Sequence, residues 1–274
     1  MKKIIDVSAF ESPQLEAYLR ARPTNYAILT DYAGIETFQR DGVENIRRAF
    51  RLLAAFPDQV IVLEPTHVIS RLRPRSKGIQ GRLIDKESTA SFRQFVVLLN
   101  SANDAHAANV LRQIEDRRRK AKAQLDIFMA DAEKLSDREN GIFAIGLGYS
   151  PAVLAAIRSR ARLPPNFHRD VAGHVVQITR ATMDKLFPGD ETKVDNVLYS
   201  FPFRFSLAMY CMNLFWTATG DVTTAPSKKV RNDATDMTYV AYATFFDGVI
   251  TDDSKLAAAY DLTRGFLGRV FAMS

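Results

Sequence analysis

The first 64 residues decide the fold of this chain, because three short apolar runs recur in them: KKIIDV at residues 2–7, YAILT at residues 26–30 and QVIVL at residues 59–63. Short apolar runs rich in β-branched residues are typical of buried strands. Helical patterns separate the runs, and Ser12 and Asp31 are predicted to cap the helices that follow them. This strand–helix alternation predicts an α/β fold with a central parallel sheet.

A second informative stretch lies near the C-terminus, where residues 231–255 read RNDATDMTYVAYATFFDGVITDDSK. The pattern predicts an apolar helix with an acidic start, for which Asp233 is a good N-cap. A turn at Asp247-Gly248 and a short buried strand at Gly248–Thr251 are predicted next. Residues 266–272 are predicted to form a last strand.

The middle of the chain differs from its two ends, because residues 89–135 have a mainly helical pattern and residues 141–194 have shorter helical segments. The two ends are therefore predicted to form one α/β core, from residues 1–70 and 195–274. Residues 71–194 are predicted to form a helical insertion, about the size of one small domain.

Composition limits the function further. The chain has 274 residues, a single cysteine (Cys211) and a formal net charge of +6. One cysteine excludes an internal disulfide and a cysteine-based zinc site. The N-terminus lacks a signal-peptide pattern, and no apolar run reaches the roughly 20 residues of a membrane span. We therefore expect a cytoplasmic protein without a membrane segment, and the positive charge favours an anionic partner such as RNA.

Four acidic residues occupy comparable places in this plan: Asp6, Glu36, Asp236 and Asp253. The carboxyl ends of neighbouring parallel strands share one edge of a sheet, so these side chains are expected to converge there. Packed carboxylates repel one another unless a cation neutralises them. Oxygen ligands suit Mg²⁺ or Mn²⁺, which activate water and stabilise charge on a phosphate.

The segments that hold these acids resemble the PIN-domain nucleases. The match lies in Ile4–Ser8, Ile28–Glu36, Asp236–Ala243 and Val249–Asp253, and it covers about the first 65 and the last 45 residues. The resemblance implies a three-layer α/β/α fold and a Mg²⁺- or Mn²⁺-dependent endoribonuclease. It also makes the four acids metal ligands, with Ser8 and Thr251 in support.

Two alternatives remain open within the acidic set. In the first alternative, Asp233 replaces or assists Asp236 as a metal ligand. The two acids can also have separate roles, with Asp233 as the helix cap and Asp236 as the ligand. Asp252 competes with Asp253 in the other, and the spacing to the strand favours Asp253.

Basic residues are candidates for contacts to the RNA backbone, namely Lys228, Lys229, Arg231, Arg73 and Arg75. The first three directly precede the acidic helix, and the other two lie in a basic loop with proline and glycine. The alternative to catalysis is a PIN-like module that binds RNA or protein with little or no activity. The resemblance also allows an antitoxin or another protein partner, and a homo-oligomer.

Overall fold

A computed structural model of the chain describes residues 1–40, 42–75, 77–100, 148–159, 161, 163–164, 166–187, 197–219 and 227–273, together with isolated helical positions between 112 and 123. These residues divide between two compact units. The first unit comprises Met1–Ile69, Gly78–Ile127 and Phe245–Ser254, and the second comprises Ser70–Lys77, Phe128–Thr244 and Lys255–Ser274. These bounds differ from the expected core and insertion, since residues 195–244 fall in the second unit.

The first unit contains a four-stranded parallel sheet. Its strands are β1 (Lys2–Ile5), β2 (Tyr26–Leu29), β3 (Val60–Val62) and β4 (Val249–Ile250). They lie in the order β3-β2-β1-β4, and every pair is parallel. The predicted α/β fold with a parallel sheet is therefore confirmed, and each strand falls within its predicted run.

Six helices of the first unit are described: α1 (Pro13–Ala21), α2 (Asp31–Phe38), α3 (Val43–Ala54), α4 (Thr66–Ile69), α5 (Ile79–Arg82) and α6 (Lys86–Asn100). Short 3-10 turns at Val7–Ala9 and Pro57–Gln59 complete the connections. In α3 the buried residues are Ile46, Ala49, Phe50 and Leu53, a spacing of three or four that places them on one face.

The predicted helix caps have different outcomes. Ser12 caps α1 as expected, because its hydroxyl accepts a hydrogen bond of 3.1 Å from the backbone N–H of Leu15. The prediction for Asp31 was wrong, since Thr30 is the N-cap of α2 and its hydroxyl accepts from the N–H of Ala33. Asp31 is instead the first residue of the helix, which frees its carboxylate for contacts elsewhere.

The second unit is helical among its described residues, with α7 (Pro151–Arg158), α8 (Phe167–Leu186), α9 (Phe201–Thr219), α10 (Ser227–Ala243) and α11 (Ser254–Met273). Helix α9 is apolar nearly all round and packs against α7, α8 and α10, as expected for a buried helix. Its single tryptophan, Trp216, is 1% exposed. No helix among the described residues is long and apolar enough to cross a membrane.

Two predictions for the C-terminal region were wrong. Residues 266–272 belong to α11 and not to a strand, because buried positions recur every three or four residues through this segment: Leu256, Ala259, Tyr260, Thr263, Phe266 and Leu267. The acidic segment does not begin its helix, since α10 starts at Ser227, six residues before Asp233. Lysine and arginine at positions 228, 229 and 231 are good helix formers and extend it toward the N-terminus.

A candidate catalytic edge at the carboxyl end of the sheet

The order in which the strands are added to the sheet reverses at β1. From β1 the chain proceeds outward to β2 and β3, and the last strand, β4, then pairs with the other side of β1. The crevice at the carboxyl ends of two such strands is where open α/β sheets bind ligands. Asp6 directly follows β1 and Thr251 directly follows β4. The strand order therefore brings two predicted site residues to this crevice from opposite ends of the chain.

Two hydroxyl groups hold one oxygen of Asp6. The hydroxyl of Thr251 donates to Oδ2 of Asp6 at 2.7 Å, and the hydroxyl of Ser8 donates to the same atom. Asp6 is only 6% exposed, so these bonds replace the water that an exposed carboxylate would bind. Hydrogen bonds to a charged acceptor are stronger than those between neutral groups, and they fix the orientation of the carboxylate.

The backbone after β4 orients both hydroxyls in turn. The N–H of Asp253 donates to Oγ1 of Thr251 at 2.9 Å, and the N–H of Asp252 donates to Oγ of Ser8 at 3.1 Å. Each hydroxyl thus accepts from the backbone and donates to Asp6. Within the described residues the other oxygen of Asp6, Oδ1, accepts no hydrogen bond. One side of this carboxylate is fixed and the other remains available to a ligand.

Three further acidic candidates belong to the first unit: Glu36, Asp252 and Asp253. Asp253 is partly buried and Asp252 is exposed. Glu36 lies in α2, is partly buried, and belongs to a helix that packs against the Val7–Ala9 turn after Asp6.

The second unit contains Asp233 and Asp236, one helical turn apart in α10. Asp233 is not a cap. Its side chain is 5% exposed and forms an ion pair with Lys255, which is the second residue of α11. The ammonium of Lys255 also lies 5.7 Å from the ring centroid of Trp216. Asp233 is therefore a buried structural anchor, whereas Asp236 lies at a partly buried position.

The described side chains do not form a ready metal site. Among them no group of three or more His, Cys, Asp and Glu side chains could hold a metal ion. The carboxylates of Asp6, Glu36, Asp236 and Asp253 all belong to this described set. Carboxylate oxygens suit Mg²⁺ or Mn²⁺. Within the described part of the first unit, Asp6, Glu36 and Asp253 do not form such a group, and Asp236 belongs to the second unit.

The structure describes the side chains of two of the five basic candidates. Arg73 and Arg75 are exposed in the loop between α4 and α5. Residues 228, 229 and 231 belong to α10, but the side chains of Lys228, Lys229 and Arg231 lie outside the described residues.

Asp31, which the sequence predicted only as a helix cap, is held by several hydrogen bonds instead. Asp31 accepts hydrogen bonds from the N–H and the hydroxyl of Thr66, at 2.7 and 2.8 Å, and from the N–H of Tyr32 at 3.0 Å. Burial raises the pKa of Asp31 above its ordinary value, although these hydrogen bonds act in the opposite direction. Its position after β2 was the only signal in the sequence, because its main partner lies 35 residues away.

In comparisons with known proteins, no family model, no curated protein and no solved structure matched this chain.

Proposed function

We propose that the protein is a Mg²⁺- or Mn²⁺-dependent endoribonuclease that hydrolyses RNA phosphodiester bonds at the carboxyl edge between β1 and β4. The observation that carries the proposal is the oriented carboxylate of Asp6, held through Oδ2 by Ser8 and Thr251 with Oδ1 available. Such a group suits a metal ligand, because its geometry is set before a cation arrives.

Two further features support the proposal. The parallel sheet and its flanking helices are compatible with the three-layer α/β/α fold that the resemblance to PIN-domain nucleases implies. The joint placement of Asp6, Ser8 and Thr251 also agrees with that resemblance, in which a small polar residue follows the first acid and a threonine precedes the last. A cytoplasmic location is part of the same proposal.

In this proposal Asp6, Glu36, Asp236 and Asp253 are the candidate ligands of the cation. A bound divalent ion supplies an activated water and neutralises charge on the phosphate. The proposal rests on the oriented carboxylate of Asp6, and dependence on Mg²⁺ or Mn²⁺ is its first experimental consequence. Ser8 and Thr251 are positioning residues that act through Asp6.

RNA is the proposed substrate because it is a polyanion and the chain carries a net charge of +6. The exposed Arg73 and Arg75 are candidates for contacts to phosphate groups, together with Lys228, Lys229 and Arg231. Neutralising any of these residues is expected to weaken RNA binding and to reduce its dependence on salt.

The test is cleavage of a mixed RNA substrate with Mg²⁺ or Mn²⁺, and with EDTA, by the wild type and three variants. Asp6→Asn is expected to abolish cleavage. Ser8→Ala is expected to lower it by roughly 10- to 100-fold, the usual effect of losing a group that orients a ligand. Asp58→Asn is the control, because Asp58 is exposed, pairs with Arg93 and lies at the amino end of β3, whereas the candidate site is at the carboxyl ends of the strands. Wild type without metal-dependent cleavage, or equal cleavage by wild type and Asp6→Asn, would contradict the proposal.

A second candidate function is a PIN-like module that binds RNA or protein without catalysis. The observation in its favour is that the described carboxylates do not group as metal ligands. Fluorescence anisotropy with labelled RNA distinguishes the two candidates. Binding that is unchanged by Asp6→Asn, together with no cleavage under any metal condition, would favour the binding module.

A further inference from the structure

The first unit contains an apolar cavity of about 300 Å³ beside the ends of β2 and β3. Five phenylalanines line it: Phe10, Phe38, Phe50, Phe92 and Phe95. Several of these rings meet edge to face, as Phe50 and Phe95 do with centroids 5.6 Å apart and planes at 86°. This volume lies at the lower end of the range for small-molecule sites, which are also mainly apolar with a few polar groups.

The charged groups of the cavity all have the same sign. Asp31 and Asp85 line it, and no Lys, Arg or His side chain does so among the described residues. Asp85 accepts a hydrogen bond of 2.8 Å at Oδ1 from the N–H of Ser88, as the N-cap of α6. In the part of the chain that the structure describes, Oδ2 of Asp85 accepts none. Asp85 thus places a carboxylate in the lining of a cavity whose walls are mainly aromatic.

Gly34 provides a second and separate observation. It lies inside α2, where glycine destabilises a helix by about 0.5–1 kcal/mol relative to alanine, and it also lines the cavity. A Cβ built at Gly34 would meet only the ring of Phe38, at 3.7 Å and beyond, which is ordinary van der Waals contact. Packing within the chain therefore does not require glycine here, whereas a ligand in the cavity would gain that space.

We propose that this cavity binds a small organic cation with an apolar or aromatic body, of the arylalkylamine class. The phenylalanine rings would cover the apolar body, and their π faces attract a cation. Asp85 would receive the ammonium. A neutral ligand would forgo both of these attractions, and an anion would be repelled by the carboxylate of Asp85.

The test uses 2-phenylethylamine as the probe, measured by calorimetry and by ligand-observed NMR on the full chain. The isosteric 2-phenylethanol and the anion 3-phenylpropanoate are the comparison ligands. We expect the amine to bind about tenfold or more tightly than the alcohol, and the anion not to bind.

Three variants distinguish the cavity from the rest of the surface. Asp85→Asn removes the charge but keeps the cap, since asparagine caps helices as well as aspartate does, and it is expected to weaken amine binding about tenfold. Ser91→Leu fills the cavity and is expected to abolish binding of the amine. Glu87→Gln is the matched control, because it removes one exposed charge from the first turn of the same helix and is expected to change nothing.

Three results would overturn the proposal. The first is no amine binding by the wild type, and the second is amine binding that survives Ser91→Leu. The third is equal binding of the amine and the alcohol with no effect of Asp85→Asn, which would leave an apolar cavity without preference for a cation. None of these outcomes depends on whether the protein cleaves RNA.

Discussion

The ion pair between Asp233 and Lys255 gives the sharpest prediction of stability. It joins α10 to the start of α11, and its two side chains are 5% and 27% exposed. Lys255→Met removes the ammonium and keeps most of the apolar stem, so it isolates the loss of charge from the loss of packing. The carboxylate of Asp233 then remains buried without this cation.

The size of the effect follows from the burial of the pair. Removing one partner of a buried ion pair costs about 3–5 kcal/mol, because the remaining charge is desolvated without compensation. Lys255 is partly exposed, so water already solvates some of its charge and the pair is less strong than a fully buried one. We therefore expect Lys255→Met to lower the free energy of unfolding by about 2–4 kcal/mol.

The protein contains its own probe for this measurement. Trp216 is the only tryptophan, is buried in the second unit, and lies 5.7 Å from the ammonium of Lys255. Its fluorescence during urea unfolding reports on the unit that contains the pair. Arg264→Met is the control, because Arg264 is an exposed cation on the same helix, and it should change stability by less than about 0.5 kcal/mol.

A double variant tests whether the loss of stability comes from the ion pair itself. Asp233→Asn combined with Lys255→Met removes both charges, and it should be more stable than the sum of the two single effects predicts, with a coupling energy of about 1–3 kcal/mol. Two results would contradict a buried, coupled ion pair: Lys255→Met that unfolds like the wild type, or single-variant changes in the free energy of unfolding that simply add. Either result would mean that the pair is not a buried anchor.

Four further predictions concern other residues. Thr251→Val removes a donor to Asp6 and should lower the free energy of unfolding by about 1–3 kcal/mol in urea titrations followed by circular dichroism, whereas Thr251→Ser should restore most of it. Gly34→Ala should raise stability by about 0.5–1 kcal/mol in thermal unfolding, since the added methyl group fits; a loss would show that the cavity wall is tighter than 3.7 Å implies. Burial raises the pKa of Cys211 to about 12, so its thiol should react with a disulfide reagent only after denaturation, and rapid native labelling would contradict its position in the core. Because its pKa is raised, the carboxyl group of Asp31 binds its proton more tightly in the folded state than in the unfolded chain. The free energy of unfolding should therefore fall as the pH rises from about 4 through that raised pKa. Asp31→Asn should reduce this slope in unfolding titrations at a series of pH values.

The sequence was most informative where structure is local. Strands appeared where short apolar runs end in turn residues, and the cap of α1 followed from Ser12 before a proline. The four strands were predicted within two residues at each end, because apolar, β-rich runs of four to six residues are typical of buried strands. The placement of Ser8 beside Asp6 also follows from a local turn.

The wrong predictions concern residues whose interaction partners are distant in the sequence, and a segment whose apolar spacing fits both a strand and a helix. Asp233 has the chemistry of a cap, and its actual partner, Lys255, lies 22 residues later in another helix. Residues 266–272 contain apolar residues at spacings that fit a strand or a helix, and packing within the second unit decides for the helix. The cavity around Phe50 could not be predicted either, because its walls come from segments up to 85 residues apart, from Phe10 to Phe95.

The pairing of β1 with β4 has a consequence for synthesis of the protein. Thr251 and Asp6 are 245 residues apart, so a ribosome that adds about 5–20 residues per second needs roughly 10–50 s to pass from one to the other. During that time β1, β2 and β3 are already synthesised, but Asp6 lacks the hydroxyl and the strand that complete its environment. The candidate catalytic edge is therefore completed only at the end of translation, and a truncated product that stops before residue 249 lacks β4 and Thr251.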